Sequence, residues 1–232
     1  MTIYQNVDSV RLLPDWDREP IIRPRMLIVH TMVGYLQGTE DRFRRPDINV
    51  ESHFGIGGPW DGPGRDGEIR QWQDTNRQAD AQWDANPFAI SVETSDGGDP
   101  DRPWSPRQLG ALAGLMLMAH RLDGIPARFV TTWNDPVGGF GWHRQFPQWN
   151  QSNHSCPGDV RLSQFINVVV PQVRRLIHGE IMLSEEDKQF FRDLDNERHE
   201  DMVTLLRGEN HASLAKILDA LNQIKANTTP SA

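Results

Sequence analysis

Arg25-Met-Leu-Ile-Val-His30 is a short apolar run that closes on a polar residue, and its length and Ile/Val content are those of a buried strand. Phe88-Ala-Ile-Ser-Val-Glu93 has the same character and runs into the turn Ser95-Asp-Gly-Gly98. Between them, Ser52-His-Phe-Gly-Ile56 alternates weakly and then breaks into a Gly/Pro/Asp loop from Gly57 to Gly67. Glu68-Ile-Arg-Gln-Trp72 reads as the second arm of that hairpin, and Arg128-Phe-Val-Thr-Thr132 as a further strand. Asn134 to Asn153, rich in Gly, Trp and Asn, reads as loop. Helical spacing appears twice. Ser105 is suited to an N-cap with Pro106 at the first helical position, and Leu109, Leu112, Ala113, Met116, Leu117 and His120 follow, with a stop near Asp123-Gly124. Leu162 to Ile177 carries Phe165, Ile166, Val169, Val173 and Leu176 on one face. Short strands interleaved with helices predict an α/β domain over residues 1–178, a central mixed β-sheet flanked by helices.

Residues 179–232 differ in character. Ser184-Glu-Glu-Asp187 opens a predicted helix bearing Phe190, Phe191 and Leu194. A second carries Leu214, Ile217, Leu218, Leu221 and Ile224, too few heptads for a coiled-coil assignment. This short C-terminal helical segment suits packing on the domain, on itself, or self-association; its role is not fixed by its sequence. Asn227 to Ala232 is expected to fray. No internal repeat is visible.

Hydrophobic residues make up 37% and charged residues 24%, as in an ordinary globular protein. No apolar run approaches the roughly 18–20 residues of a membrane span. The net charge of −8 argues against nucleic acid as a partner, because phosphate binding needs clustered Lys and Arg. Arg42, Arg44 and Arg45 read as a solvated loop. Met1 to Pro20 carries Asp8, Asp15, Asp17 and Glu19 with no basic segment ahead of an apolar one, so no secretory signal is expected. On that reading the protein is made in a cytoplasm and reaches any outside target by release. Eight tryptophans stand against two tyrosines, and Trp60, Trp72, Trp83, Trp142 and Trp149 lie in loop-like sequence where a polymer-binding cleft can use them.

Cys156 is the single cysteine, which leaves an inert residue, a nucleophile or a metal ligand. Zinc favours His nitrogen and Cys sulfur, and a catalytic zinc keeps one of four positions open. His30 at a strand end, His143 in Gly-Phe-Gly-Trp-His143, and Cys156 before Pro-Gly come from three segments and would supply three ligands. Taken singly, each is as easily a packing residue.

Their order is more specific. Ile28-Val-His30-Thr31, Ser91-Val-Glu93, Gly141-Trp-His143 and His154-Ser-Cys156-Pro-Gly158 follow one another in a sequence that resembles the type 2 N-acetylmuramoyl-L-alanine amidases. That family includes phage lytic amidases and the peptidoglycan recognition proteins, and the resemblance runs from about Met26 to Ile177. It implies a catalytic domain with Zn2+ in a surface cleft, held by His30, His143 and Cys156. It implies peptidoglycan (the muramoyl peptide) as partner, hydrolysis of the amide between N-acetylmuramic acid and L-alanine, and the role of a phage endolysin. Glu93 matches a glutamate placed beside the activated water in several bacterial members, where it serves as general base. His154 stands where many members have a lysine that stabilises the oxyanion; here the donor would be an imidazole. A second departure is Ser52, where phage and recognition-protein relatives carry a tyrosine. Serine cannot reach as far, so that role is lost or moves to Glu93. His53, alternating to the other face, reads as packing. The rival readings are a non-catalytic peptidoglycan-binding protein, a cysteine hydrolase using Cys156 with His143 or His154, and a structural zinc domain, which would usually show a fourth ligand.

Overall fold

The computed structural model describes residues 2–4 and 7–178. The helices expected between 184 and 224, and any self-association through them, lie outside the described residues.

Six strands form one sheet: β1 (Ser9–Val10), β2 (Met26–Met32), β3 (Phe54–Ile56), β4 (Ile69–Gln71), β5 (Ala89–Ser95) and β6 (Gly139–Trp142). Their spatial order is β1-β4-β3-β5-β2-β6. The β3–β4 hairpin is antiparallel and every other pairing is parallel, so the sheet is mixed, as the sequence predicts. The two apolar runs become the central strands β2 and β5, buried as continuous runs should be.

Arg128 to Thr132 contributes only a single bridge, Phe129 to Phe140, and is not a strand. The edge strand β6 lies instead within the glycine-rich stretch read as loop. Gly139 and Gly141 have no side chains to signal alternation there, and tertiary packing sets the pairing. The helix α1 (Leu36–Phe43) also escapes the sequence reading, since Tyr35 makes no side-chain cap. Asp61, from the Gly/Pro loop, accepts from the Leu36 N–H at 2.6 Å and does that work at a distance. The short edge strand β1 carries too few residues to show a pattern.

The helix α2 (Pro106–Leu122) starts as predicted, and Ser105 and Gln108 close a reciprocal capping box. Such a cap contributes about 1 kcal/mol. The last described helical stretch comprises α3 (Asp159–Gln164), a π-helical turn (Phe165–Val169) and α4 (Val170–His178). No helix among the described residues is long and apolar enough to cross a membrane.

The two faces of the sheet are dressed differently. On one, Leu36 of α1 packs with Leu13, Met32 and Trp72. Met26, Ile28, Ala89, Val130 and Trp149 form a second cluster. The other face receives Trp104, whose indole N–H donates to Thr94 Oγ1 at 2.9 Å, and Arg161 of α3, which reaches Thr31 Oγ1 and the Thr94 carbonyl. The Arg42–Arg45 stretch is not simply solvated. Arg44 binds the buried Glu40 carboxylate at 3.1 Å and the Arg11 carbonyl at 2.9 Å, which ties the N-terminal segment to α1. Glu40 also accepts from fully buried Arg70 at 2.8 Å and from Trp72 Nε1 at 3.3 Å.

Candidate metal centre

Strand register places the chemistry. Across neighbouring strands Arg70 pairs with Gly55, Gly55 with Glu93, and Glu93 with His30. Val29 pairs with Trp142, so His143, the next residue, continues the same row. Residues in one row of a sheet project from one face. Gly55 is needed in that row. A Cβ there would lie 2.2 Å from Trp72 Cη2 and 2.7 Å from Leu36 Cδ1, so any side chain would collide with the aromatic floor beside Glu93.

His30, His143 and Cys156 meet at the end of β2, each offering one ligand atom within 4.8 Å of the others. Zinc–nitrogen and zinc–sulfur bonds of about 2.0–2.3 Å in a tetrahedron set ligand atoms about 3.4–3.7 Å apart, so closing on an ion needs a contraction of at most about 1.4 Å. The rings of His30 and His143 sit 4.4 Å apart, and His143 Nε2 is buried with no hydrogen-bond partner. Cys156 stands immediately before a cis peptide to Pro157 and two residues ahead of Gly158, whose φ of +92° suits glycine. Its sulfur accepts the Thr31 N–H at 3.1 Å.

Electrostatics favour ligand forms of both imidazoles. Burial, with His143 close by, pushes His30 well below the usual histidine range, against its hydrogen bond to Gln82. Burial and then His154 bring His143 down to about 4. Both rings are therefore neutral at pH 7, with a lone pair to give. Burial and Glu93 raise the Cys156 thiol, which the Thr31 N–H and Arg161 oppose. A raised thiol weighs against a thiolate nucleophile; a dication can displace that proton.

Glu93 projects toward the ligands, Oε1 lying 3.9 Å from His30 Nδ1 and 3.5 Å from Ser52 Oγ. Its second oxygen is buried without a partner. Burial pushes Glu93 up to about 8, with Ser52 acting against this and Asp96 adding to it. A borderline-soft donor set of two imidazoles and one sulfur, with two orphaned polar atoms in His143 Nε2 and Glu93 Oε2, fits a zinc ion with a carboxylate beside it. Ser52 occupies a fully buried place at Glu93, not a reaching one. The alternation expected for its neighbour fails, because the strand begins only at Phe54. His53 turns to the same side, bonding Ser91 Oγ at 3.0 Å and the Arg77 carbonyl at 2.8 Å, and it is packing as predicted.

His154 is exposed, its ring stacked 6.1 Å from that of His143, and its backbone is clasped by Asn150. Of the five loop tryptophans, Trp72 and Trp149 are core residues and Trp60 and Trp142 half-buried; Trp83 is the exposed one. A residue that the sequence reading misses is Gln82. It is fully buried, and its Oε1 lies 3.2 Å from His30 Nε2. Ala81-Gln82-Trp83 carries no signal for this, since the contact joins residues 52 positions apart. A second acidic group, Glu19, Glu51 and Asp80, also clusters, on partly exposed residues.

No curated protein matches the sequence. Among solved structures, the PlyG catalytic domain in solution is similar with a TM-score of 0.51 at 12% identity, covering 72% of this chain and 93% of that one. A mutant of PlyL gives 0.51 at 13% identity, over 72% and 97%. The amidase LysC from Clostridium intestinale URNW gives 0.46 at 16% identity, over 69% and 98%. At these identities the first two support the fold alone. The sequence matches a family over residues 20–159, more than half of the chain and all of the site just described, and this protein therefore belongs to the N-acetylmuramoyl-L-alanine amidase family.

Proposed function

We propose that this protein is a zinc-dependent amidase that cuts peptidoglycan between N-acetylmuramic acid and L-alanine. The observation that carries the reading is the convergence of His30, His143 and Cys156 on one point with Glu93 beside it in the same sheet row. Family membership supports the substrate. When bound, zinc would polarise the scissile carbonyl and lower the pKa of water from about 15.7 toward 7.

The chain's own residues do the rest. His30, His143 and Cys156 would hold the ion as three ligands. A dication held there would counter the burial that raises Glu93 and leave it a carboxylate, which takes a proton from the attacking water as the water oxygen bonds to the amide carbon. The carbon–nitrogen bond then breaks, and Glu93 returns that proton to the alanine nitrogen, so one water is consumed for one amide. His154, exposed beside His143, would donate a hydrogen bond to the developing oxyanion, an effect of roughly 3–4 kcal/mol for one donor in other hydrolases. Trp83 is the exposed indole available to the glycan. A lytic role of the phage type, with the enzyme reaching the wall only after the membrane is breached, extends this reading.

The test is mass spectrometry of a purified muropeptide treated with the full chain, before and after dialysis against chelator and with zinc restored. Release of the stem peptide from the lactyl group, lost with chelator and recovered with zinc, is expected. Zinc binding without cleavage would favour a recognition protein. Chelator-resistant cleavage blocked by alkylation would favour a Cys156 nucleophile. For the lytic role, cytoplasmic expression should leave cells intact until the membrane is permeabilised; wall loss in intact cells would contradict it.

A further inference from the structure

We propose that Gln82 is a positioning residue for the metal, fixing the tautomer and plane of His30 so that Nδ1 carries the lone pair offered to the ion. The inference rests on the zinc reading above and deepens it. Gln82 is completely buried, so its amide must find partners inside the protein. Its Nε2 donates to the Ala89 carbonyl at 3.4 Å, which fixes Oε1 as the end that faces the histidine. An amide oxygen only accepts, so His30 Nε2, at 3.2 Å, must be the protonated nitrogen. The lone pair is left on Nδ1, which is the ring atom on the Glu93 side.

The backbone is built to hold this arrangement. The Gln82 N–H donates to Asn86 Oδ1 at 2.8 Å, and Asn86 in turn donates to Asp80 at 2.9 Å. The next residue, Trp83, has a φ of +49°, a left-handed conformation that a bulky side chain adopts only where its surroundings impose it. At this reversal one residue is fully buried against His30 and its neighbour is half exposed. The 3-10 turn Trp83–Phe88 then leads directly into β5, whose first residue is Ala89. One segment thus delivers the group that orients a ligand and, four residues into the strand, the carboxylate Glu93. Outer partners of metal-bound histidines act in this way generally, and their loss weakens metal binding about 10–100-fold.

The experiment uses the full chain and three proteins: wild type, Gln82→Met, which removes the acceptor, and Gln82→Glu, which keeps one. Zinc affinity is measured by competition with a chromophoric chelator, cobalt(II) absorption reports ligand geometry, and long-range 1H–15N NMR reads the His30 tautomer in chelator-treated protein. We expect wild type to show His30 protonated on Nε2. Gln82→Met should bind zinc about 10–100-fold more weakly, with an altered cobalt spectrum and Nδ1-protonated His30 appearing. Gln82→Glu should stay within a few-fold of wild type. Unchanged affinity and tautomer in Gln82→Met, or equal damage from both variants, would overturn the proposal. If wild type binds no zinc, the metal reading fails by itself, and the tautomer comparison still decides the role of Gln82. Should Gln82→Met not fold, Nδ1-protonated His30 in wild type, or zinc affinity lost in a folded Gln82→Glu, would overturn it equally.

Discussion

His53 is the residue whose behaviour follows most directly from its surroundings, and His53→Asn is the perturbation that exposes it. The ring is wholly buried, accepting the Ser91 N–H on Nδ1 at 3.1 Å and donating from Nε2 to the Arg77 carbonyl. Burial outweighs that backbone bond and the nearby Asp74, and brings its pKa from 6.5 down to about 4. A histidine held neutral in the folded state takes up protons in the unfolded state first, so its contribution to stability is present above pH 6.5 and is lost as pH falls toward 4. Between pH 7 and pH 4.5 a pKa of about 4 against 6.5 implies a loss of about 2.4 kcal/mol from this residue alone. Asparagine can keep the Ser91 bond and cannot titrate. The variant should be about 1–3 kcal/mol less stable than wild type at pH 7, from the lost Arg77 partner. That gap should shrink by about 2 kcal/mol at pH 4.5. The assay is guanidinium unfolding followed by tryptophan fluorescence at both pH values, read as the difference between the two proteins. Subtraction matters because Glu51, pushed up to about 7 chiefly by burial, loses stability in the opposite sense as pH rises from 4.5 to 7. Parallel pH dependences in wild type and variant would refute the reasoning.

Glu93→Gln should lower turnover by about 10²–10⁴-fold, the usual contribution of a general base, while zinc content by elemental analysis stays at the wild-type level; full turnover would remove Glu93 from the reaction. His30→Ala and Cys156→Ser should each lose zinc and activity together, so a variant that remains active after chelation would contradict their role as ligands. Gly55→Ala forces a methyl to within 2.2 Å of Trp72 and should cost about 1–3 kcal/mol in urea unfolding; an unchanged midpoint would mean that α1 yields easily.

The elements with strong local signals could be read from sequence alone. β2 and β5 are continuous apolar runs, and α2 announces itself with Ser105 and Pro106. Those that rely on distant partners could not. α1 is capped by Asp61 from another loop, and β6 is paired through glycines. The candidate site divides in the same way. His30, Glu93, His143 and Cys156 stand out through the order of their motifs, whereas Gln82 and the floor formed by Trp72 appear only when residues 52 and 17 positions apart in sequence are brought side by side. Ser52 and His53 show the opposite failure. A two-residue period does not hold ahead of Phe54, where the strand has not yet begun, and both side chains turn toward β5.

The row Gly55–Glu93–His30 has a consequence for how this chain can vary. Because successive residues of a strand alternate faces, the address of each reactive group is a matter of odd and even. Deleting one residue from β5 ahead of Glu93 would carry Val92 or Thr94 to the ligand side and bury a carboxylate against Trp104 and Arg161. The Gly57–Gly67 loop has no such parity to keep, and lengthening it should cost only about 0.6 kcal/mol for each doubling. Descendants of this sequence can therefore drift in composition almost anywhere on the surface and in length within the loops, while the two central strands remain locked to their present count.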